Sequence, residues 1–246
     1  MRIIHRILIC LTVISALIVL LVTSTELAIY MDFQFYEKEY EKYHVLDDLD
    51  MEMKDVMSVT HEMMDYLHGK RDDLVVMTTV SGKEREFFND REKQHMVDVK
   101  NMFLAGMKTR NAAVVILLVS LTVLIFLKAE WKILLAKWYM GITCGLLAVA
   151  IGLGYLFTRD FNKYFVKFHE IFFDNDLWLL DPDTDLMIRM LPEGFFADFT
   201  VRIGIFAATA VIGCFIISLF VWHREKKISN KQDLLINYDI LISLMK

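Results

Sequence analysis

The amino-acid sequence predicts an all-α membrane protein with four transmembrane helices, both termini inside, and a small extracytoplasmic part of α-helices and one β-hairpin. Hydrophobic residues make up 56% of the 246-residue chain, which is too apolar for an ordinary soluble domain. They are gathered in four blocks without a charged residue: 7–25, 112–127, 138–157 and 203–222. Blocks of this length can cross a hydrocarbon layer of about 30 Å as helices. We therefore predict a single membrane domain over residues 1–246.

Lysine and arginine residues beside the blocks predict how the chain is oriented. Those that we place in the cytoplasm are, in chain order, Arg2, Arg6, Lys128, Lys132, Lys137, Arg224, Lys226, Lys227 and Lys231. Basic residues are retained on the cytoplasmic side of membrane proteins. The pattern therefore predicts outer loops at 31–110 and 158–200 and a cytoplasmic tail at 223–246.

The charge of the predicted loops and spans excludes several classes of function. Residues 31–110 hold 12 basic and 18 acidic side chains, and residues 158–200 hold 4 and 9. Nucleic-acid binding therefore has no support in the sequence. The charge-free spans argue against an ion-coupled transporter, which keeps ionisable groups inside the membrane. All three cysteines lie in the apolar blocks, so no disulfide framework is expected.

The first outer loop has the patterns of a helix and a hairpin. Apolar residues at helical spacing predict an amphipathic helix over 46–67. Beyond it, β-forming residues at 74–80 and 85–88 flank the turn signal Ser81-Gly82. This arrangement predicts a short β-hairpin.

A second helix of this loop carries a histidine on its apolar side. Asn89 and Asp90 can cap the start of the helix. His95 shares a face with apolar or small residues at helical spacing, namely Val99, Met102, Phe103 and Gly106. We therefore expect the imidazole of His95 to point toward the apolar side.

The second outer loop contains the densest run of chemically capable side chains, over 168–196. Acids and an amide, Glu170, Asn175 and Asp176, stand among large apolar residues: Phe168, Phe172, Phe173 and Trp178. The preceding segment, 161–172, predicts a helix that lies along the membrane surface and carries His169 on its apolar face. Two histidines on the apolar sides of two outer helices indicate a joint site.

The other clusters of possible metal ligands favour structural roles. The two histidines of a zinc-protease helix are four residues apart, whereas His61 and His68 are seven residues apart. We therefore expect both at a polar helix edge. The alternating acids Asp181, Asp183 and Asp185 resemble the start of a calcium loop, but the glycine and glutamate that such a loop requires are missing. We expect a turn there.

Two motifs and the four-span layout resemble the lipoprotein intramolecular transacylase family of Gram-positive bacteria. The motifs are REKQHMVDVK at 91–100 and FHEIFFDNDLWLLDPDTDLMIRMLPEGFF at 168–196. The resemblance implies a multi-pass enzyme of the bacterial cell membrane with its active site on the extracytoplasmic face. It implies an acyltransferase that moves the sn-2 acyl chain of an S-diacylglyceryl-cysteine to the α-amino group of that cysteine, which gives the N-acyl, S-monoacylglyceryl (lyso) form. The partners would be the modified lipoprotein N-terminus and membrane lipid, without a cofactor or metal.

The resemblance also implies two essential histidines, which correspond to His95 and His169. Histidine titrates near neutral pH and can serve as base or acid. We expect His169 to act as base toward the amine and His95 as donor to the oxyanion or the leaving oxygen. Glu170, Asn175 and Asp176 are expected to orient a histidine or hold the amine. The large side chains Phe165, Phe172 and Trp178 are expected to line the acyl path.

Two other classes of function stay open at this point. A metal-dependent membrane hydrolase would use His95, His169 and one carboxylate as ligands, although no ligands stand at zinc spacing in the sequence. A non-enzymatic receptor or membrane assembly protein would not need either histidine. Metal analysis and replacement of the two histidines separate these classes from the transacylase.

Overall fold

The computed structural model describes residues 2–127 and 131–244; Lys128 and the last two residues of the predicted tail lie outside the described part. The described chain has nine α-helices and one two-stranded antiparallel sheet. The elements are α1 (Arg2–Tyr30), α2 (Gln34–Lys42), α3 (Val45–Leu49), α4 (Met53–Leu67), β1 (Met77–Val80), β2 (Lys83–Glu86), α5 (Asp90–Phe126), α6 (Trp131–Arg159), α7 (Phe161–Phe172), α8 (Leu186–Met190) and α9 (Glu193–Leu244).

Four helices have the length and apolarity to cross a membrane. They are Ile3–Tyr30, Asp90–Phe126, Trp131–Arg159 and the Glu193–Lys231 part of α9. Each contains one of the four charge-free blocks, so the prediction of four membrane-spanning helices is confirmed. The helices extend beyond the blocks because no proline interrupts them: Pro182 and Pro192 both precede α9. The outer helix predicted from Asn89 is thereby continuous with the second span.

The chain divides into two compact units, each made of segments distant in sequence. The first unit comprises Met1–Leu21, Arg110–Leu153 and Ala207–Lys246, and the second comprises Val22–Thr109 and Gly154–Phe206. The first contains most of the apolar blocks. The second contains both segments for which we predict chemistry, around His95 and His169.

The first unit is held together by apolar packing with few polar contacts. Its buried side chains are Ile9, Val13, Leu17, Leu124, Tyr139 and Val211. The hydroxyl of Tyr139 donates to the carbonyl of Val211 at 3.1 Å, and the hydroxyls of Thr12 and Ser120 lie 2.9 Å apart. These three hydroxyls thus have partners in the apolar interior.

The second unit has a core of apolar and aromatic side chains. The amphipathic helix predicted over 46–67 is divided into α3 and α4, and α4 buries Val56, Thr60 and Met63 on one face. Rings from α2 and the start of α9 stack beside it: Tyr36, Tyr40, Phe195 and Phe199. This core supports the elements that carry the two histidines.

The hairpin contains the turn indicated by the sequence. Strands β1 and β2 pair from Met77 opposite Glu86 to Val80 opposite Lys83. The connecting residues Ser81 and Gly82 both have positive φ, at 51° and 71°. Two successive residues with positive φ are what a tight hairpin turn requires, and glycine adopts this conformation without strain.

One further glycine is required by close packing. A Cβ atom on Gly194, in the first turn of α9, would overlap the ring of Tyr43. The hydroxyl of Tyr43 donates to Asp198, one turn farther along α9, at 2.6 Å. Gly194 thus lets α2 and α9 approach closely.

Candidate active site

The start of α5 is fixed by a reciprocal cap. The side-chain oxygen of Asn89 accepts from the backbone N–H of Glu92 at 3.0 Å, and the carboxylate of Glu92 accepts from the N–H of Asn89 at 2.7 Å. This is a capping box, in which two otherwise unpaired helix donors are satisfied. It sets the first turn of the helix that carries His95.

A buried polar cluster ties this cap to the second outer loop. Glu92, which is fully buried, also accepts from the N–H of Met187 at 2.6 Å. Asn89 donates to Asp185 at 2.6 Å, and Asp185 accepts from the N–H of Asp181 at 2.7 Å. Burial opposes ionisation of Asp185, but its hydrogen bonds outweigh burial and lower its pKa. The expected turn at Asp181 to Asp185 is thus locked against α5.

His95 lies one turn beyond the cap and is 6% exposed. Its position is about 25 Å along the helix before the apolar block that begins at residue 112, so it lies outside the membrane-spanning segment. Among the described residues, its buried Nδ1 has no hydrogen-bond partner. Burial lowers the pKa of His95 to about 4; His169 and Arg91 act in the same direction, and Asp98 acts against them. His95 is therefore neutral at physiological pH.

His169 is held in the last turn of α7. Asp160 caps this helix by accepting from the N–H of Lys163 at 3.0 Å. The Nδ1 of His169 lies 2.7 Å from the carbonyl oxygen of Phe165. A carbonyl only accepts, so Nδ1 carries the hydrogen and Nε2 keeps its lone pair. Burial lowers the pKa of His169, although the bond to Phe165 acts in the opposite direction.

The two imidazoles meet inside a set of aromatic rings. Their centroids are 6.1 Å apart, with 38° between the ring planes. Phe173 contacts both, at 5.3 Å from His95 and 5.6 Å from His169. His169 is also contacted by Phe165 at 4.4 Å and by Trp178, which stacks on it at 5.0 Å. Apolar rings around both imidazoles favour their neutral forms.

The loop after α7 follows one face of α5. Arg91 donates to the backbone carbonyl of Asp176 and lies 3.6 Å from its carboxylate. The side-chain amide of Asn175 donates to Asp98 at 2.8 Å. The backbone carbonyl of Asn175 accepts from the indole N–H of Trp178 at 2.8 Å. Arg91 and Asp98 lie four residues before and three residues after His95, which is the spacing of one helix face. The loop therefore spans the face that carries His95.

The predicted site residues fall into three groups. Phe165 and Trp178 contact His169 directly. Asn175 and Asp176 hold the loop onto α5. Glu170 pairs with Lys167 at 2.8 Å on an exposed side of α7, and Phe172 is 56% exposed and packs on Phe168, so these two do not reach the imidazole pair.

Sequence reasoning missed four residues of the site: Phe173, Arg91, Glu92 and Asp98. Three of them had a signal in the sequence. Asn89-x-x-Glu92 has the spacing of a capping box. Arg91 and Asp98 share the helix face of His95. For Phe173 the helical period gave no signal, because it follows the end of α7.

Metal binding has little support in residues 2–127 and 131–244. No group of three or more His, Cys, Asp or Glu side chains is placed there to hold an ion. His61 stacks on Phe33 at 4.1 Å, and His68 meets the ring of Tyr30 at 5.1 Å. The site therefore offers two neutral imidazoles, of which one has a free Nε2 lone pair and the other an unpaired Nδ1.

Comparisons with known proteins identify a family and agree with the fold. The family model described as lipoprotein intramolecular transacylase Lit matches residues 10–196. The chain resembles the in meso structure of the membrane integral lipoprotein intramolecular transacylase Lit from Bacillus cereus, with a TM-score of 0.72 and 22% identity over 92% of this chain and 100% of that one.

Two variants of the Bacillus cereus protein, with a histidine replaced by arginine or by alanine, match with TM-scores of 0.69 and 22% identity. The matches cover 92% and 91% of this chain and 94% and 96% of the variants. At this identity the likeness shows a shared fold. No curated protein sequence matches the chain significantly.

Proposed function

This chain belongs to the lipoprotein intramolecular transacylase family Lit, and we propose that it moves the sn-2 acyl chain of an S-diacylglyceryl-cysteine to the α-amino group of the same cysteine. Membership makes it an acyltransferase that acts on lipoproteins. The product of the proposed step is the N-acyl, S-monoacylglyceryl form. The observation that carries this proposal is the pair of neutral imidazoles, with centroids 6.1 Å apart, among aromatic rings.

His169 is the base in this proposal. An α-amino group has a pKa of about 7.7–8.0 and is mostly protonated at neutral pH, so a base must remove a proton for it to attack. The bond from Nδ1 to the Phe165 carbonyl leaves Nε2 of His169 as the proton acceptor. Burial keeps this nitrogen unprotonated at neutral pH. Positioned general bases contribute about 10²–10⁴-fold to rate.

The bonds and protons of the reaction balance without a redox step. The amine nitrogen forms a bond to the sn-2 ester carbon, and the carbonyl electrons move to its oxygen. These electrons return as the bond from carbon to the glycerol oxygen breaks. His169 takes one proton from the amine, and His95 gives one proton to the glycerol oxygen. The proton on His169 then passes to His95, whose ring centroid is 6.1 Å away, and both imidazoles are neutral again. One ester and one amine thus become one amide and one alcohol.

The apolar surroundings of the imidazoles suit acyl transfer better than hydrolysis. Phe173, Phe165 and Trp178 surround the rings and limit the access of water, which would otherwise compete with the amine. Donor and acceptor belong to one molecule, so folding the lipid back on its own cysteine supplies proximity. Neither an activated acyl donor nor a coenzyme is needed for this step.

We place the site on the extracytoplasmic face of the cell membrane. The basic residues beside the spans support cytoplasmic termini and outer loops at 31–110 and 158–200. Both histidine helices belong to these loops. Lipoprotein N-termini with diacylglyceryl groups are anchored in the outer leaflet on this side, within reach of the site.

Tandem mass spectrometry of a lipoprotein N-terminus tests the proposal. Substrate and product are isomers of equal mass, so the fragment that contains the cysteine amide must be identified. In a host without N-acylation, wild-type protein should produce N-acyl cysteine, and H95A and H169A should not. H61A, which replaces a histidine stacked on Phe33, is the matched control and should behave as wild type. Diacylglyceryl-cysteine with a free amine in the wild-type culture would contradict the proposal.

A further inference from the structure

A guanidinium group beside the imidazole pair has an unused donor. Arg91 lies four residues before His95 on α5, and its terminal nitrogen is held by the carbonyl of Asp176. Its Nε is buried, and no hydrogen-bond partner for it exists among the described residues. Buried donors without partners are rare in folded proteins and call for an explanation.

The same helix face has a second unpaired nitrogen one turn away. The Nδ1 of His95 is also buried and without a partner in the described chain. A helical side chain lies over the turn that precedes its own Cα, so the imidazole of His95 is directed toward the turn of Arg91. The unpaired N–H of Arg91 can donate to an oxygen atom of a ligand, and the unpaired Nδ1 of His95 can bond to a second polar atom of the same ligand.

We infer that Arg91 is a further catalytic residue, whose guanidinium donates to the sn-2 ester carbonyl oxygen and stabilises the oxyanion that forms on it. This inference rests on the proposed function. Preorganised donors aimed at a developing oxyanion are among the largest contributors to acyl-transfer catalysis. The contact with Asp176 holds the guanidinium in place before substrate arrives.

The chemistry of arginine suits this role and no role in proton transfer. Guanidinium keeps its proton at all accessible pH values and has no acceptor, so it can only donate. As the bond from nitrogen to the ester carbon forms, negative charge develops on the carbonyl oxygen beside Arg91. This charge disappears when the carbonyl re-forms and the bond to the glycerol oxygen breaks. Arg91 gains and loses no proton. His95 is then available for the leaving glycerol oxygen.

The positive charge of Arg91 has a second consequence for the amine. A nearby cation disfavours a second cation, and Arg91 acts in this direction on His95. The same field would favour the unprotonated, nucleophilic form of the substrate α-amino group. Arg91 therefore assists both partners of the reaction.

Two inert substrate analogues separate this role from simple positioning. One carries a phosphonate at sn-2, which imitates the tetrahedral oxyanion, and the other carries an ether, which has no carbonyl oxygen. Binding of both to R91M, R91K and wild type is measured with kcat and KM on the diacylglyceryl peptide. R85M removes another positive charge of the same unit and is the control.

We expect R91M to lose about 10²–10³-fold in kcat and similarly in phosphonate affinity, with KM and ether affinity close to wild type. R91K should recover part of the lost kcat and phosphonate affinity, because it keeps the charge. If R91M does not fold, R91K is compared with wild type instead. R85M should match wild type. A kcat of R91M close to that of wild type, or equal losses for both analogues, would overturn the inference. Failure of wild type itself to form the amide would instead overturn the proposed function.

Discussion

The two imidazoles are close in space but are held by different means. His169 is fixed by its own helix, through the Phe165 carbonyl, and by the rings stacked on it. His95 is fixed by the capping of its helix, while its Nδ1 has no partner among the described residues. The hydrogen bond at Nδ1 of His169 thus leaves Nε2 as its free acceptor, whereas His95 keeps its Nδ1 available for a ligand. The difference supports unequal roles, with His169 as base and His95 as donor.

Replacement of His169 by glutamine should produce the largest loss of activity, and it tests whether His169 is the base. The amide of glutamine can still donate to the carbonyl of Phe165, but it cannot accept a proton at neutral pH. We expect kcat for amide formation to fall by about 10²–10⁴-fold. The measurement is single-turnover kinetics on a diacylglyceryl peptide, with circular dichroism as a folding control. An H169Q protein with nearly wild-type kcat would remove His169 from the mechanism.

Replacement of Trp178 tests whether burial by the indole lowers the pKa of His169. Burial lowers this pKa, so the W178A protein, which admits water to the ring, should have a pKa nearer the ordinary value for histidine. The imidazole is the active base only above its pKa, so the variant should lose its base at a higher pH than wild type. The loss of the aromatic pair should also cost about 0.5–1.5 kcal/mol of stability.

Titration of labelled histidine by NMR measures the effect of W178A. His169 is assigned by comparison with H169Q, and L179A serves as control, because Leu179 is exposed and next to the tryptophan. A pKa of His169 that is the same in W178A and in wild type would show that the indole does not exclude water from the ring.

Replacement of Glu92 tests whether the polar cluster at the start of α5 holds the helix that carries His95. In E92Q, the amide nitrogen replaces one of the two oxygens that accept from the N–H groups of Asn89 and Met187. One buried donor is left unpaired, which should lower the free energy of unfolding by about 1–3 kcal/mol. Thermal denaturation in detergent measures this loss, and E84Q in the exposed strand β2 is the matched control. Equal stability of E92Q and wild type would mean that the cluster does not hold the start of α5.

Gly194 should produce the smallest effect on activity, because it lies away from both rings. A methyl group in G194A would overlap the ring of Tyr43 and should destabilise the protein by about 1–3 kcal/mol. The double variant G194A/Y43A provides space and should recover part of that loss relative to Y43A alone. Additive losses in the double variant would contradict the overlap.

The sequence allowed the spans, the hairpin and α7 to be predicted, because these depend on local patterns, whereas α2 and α8 were not predicted. Charge-free blocks identify membrane helices, and Ser81-Gly82 identifies a hairpin turn. The imidazoles could be assigned to apolar helix faces from the helical period. The period does not distinguish an apolar face that packs on protein from one that is exposed, which is why Phe172 was expected beside the acyl path although it is 56% exposed.

Contacts between distant segments were the part that could not be predicted. Asp185 and Glu92 are joined through Asn89 and Met187, and the acids gave no local sign of this except the capping box. Phe173 contacts both imidazoles because the chain leaves α7 in an extended conformation at that residue. Such contacts depend on the path of the loop after α7, which the helical period does not encode.

A crossover experiment tests whether the acyl chain moves within one substrate molecule. Purified protein is given a mixture of two substrates, one with isotope label in both its sn-2 acyl chain and its peptide and one with label in neither. Intramolecular transfer should give N-acylated peptides that are fully labelled or fully unlabelled, and H169Q should give no such product. Peptides with mixed labels would contradict intramolecular transfer, and release of the sn-2 chain as free fatty acid would indicate a hydrolase.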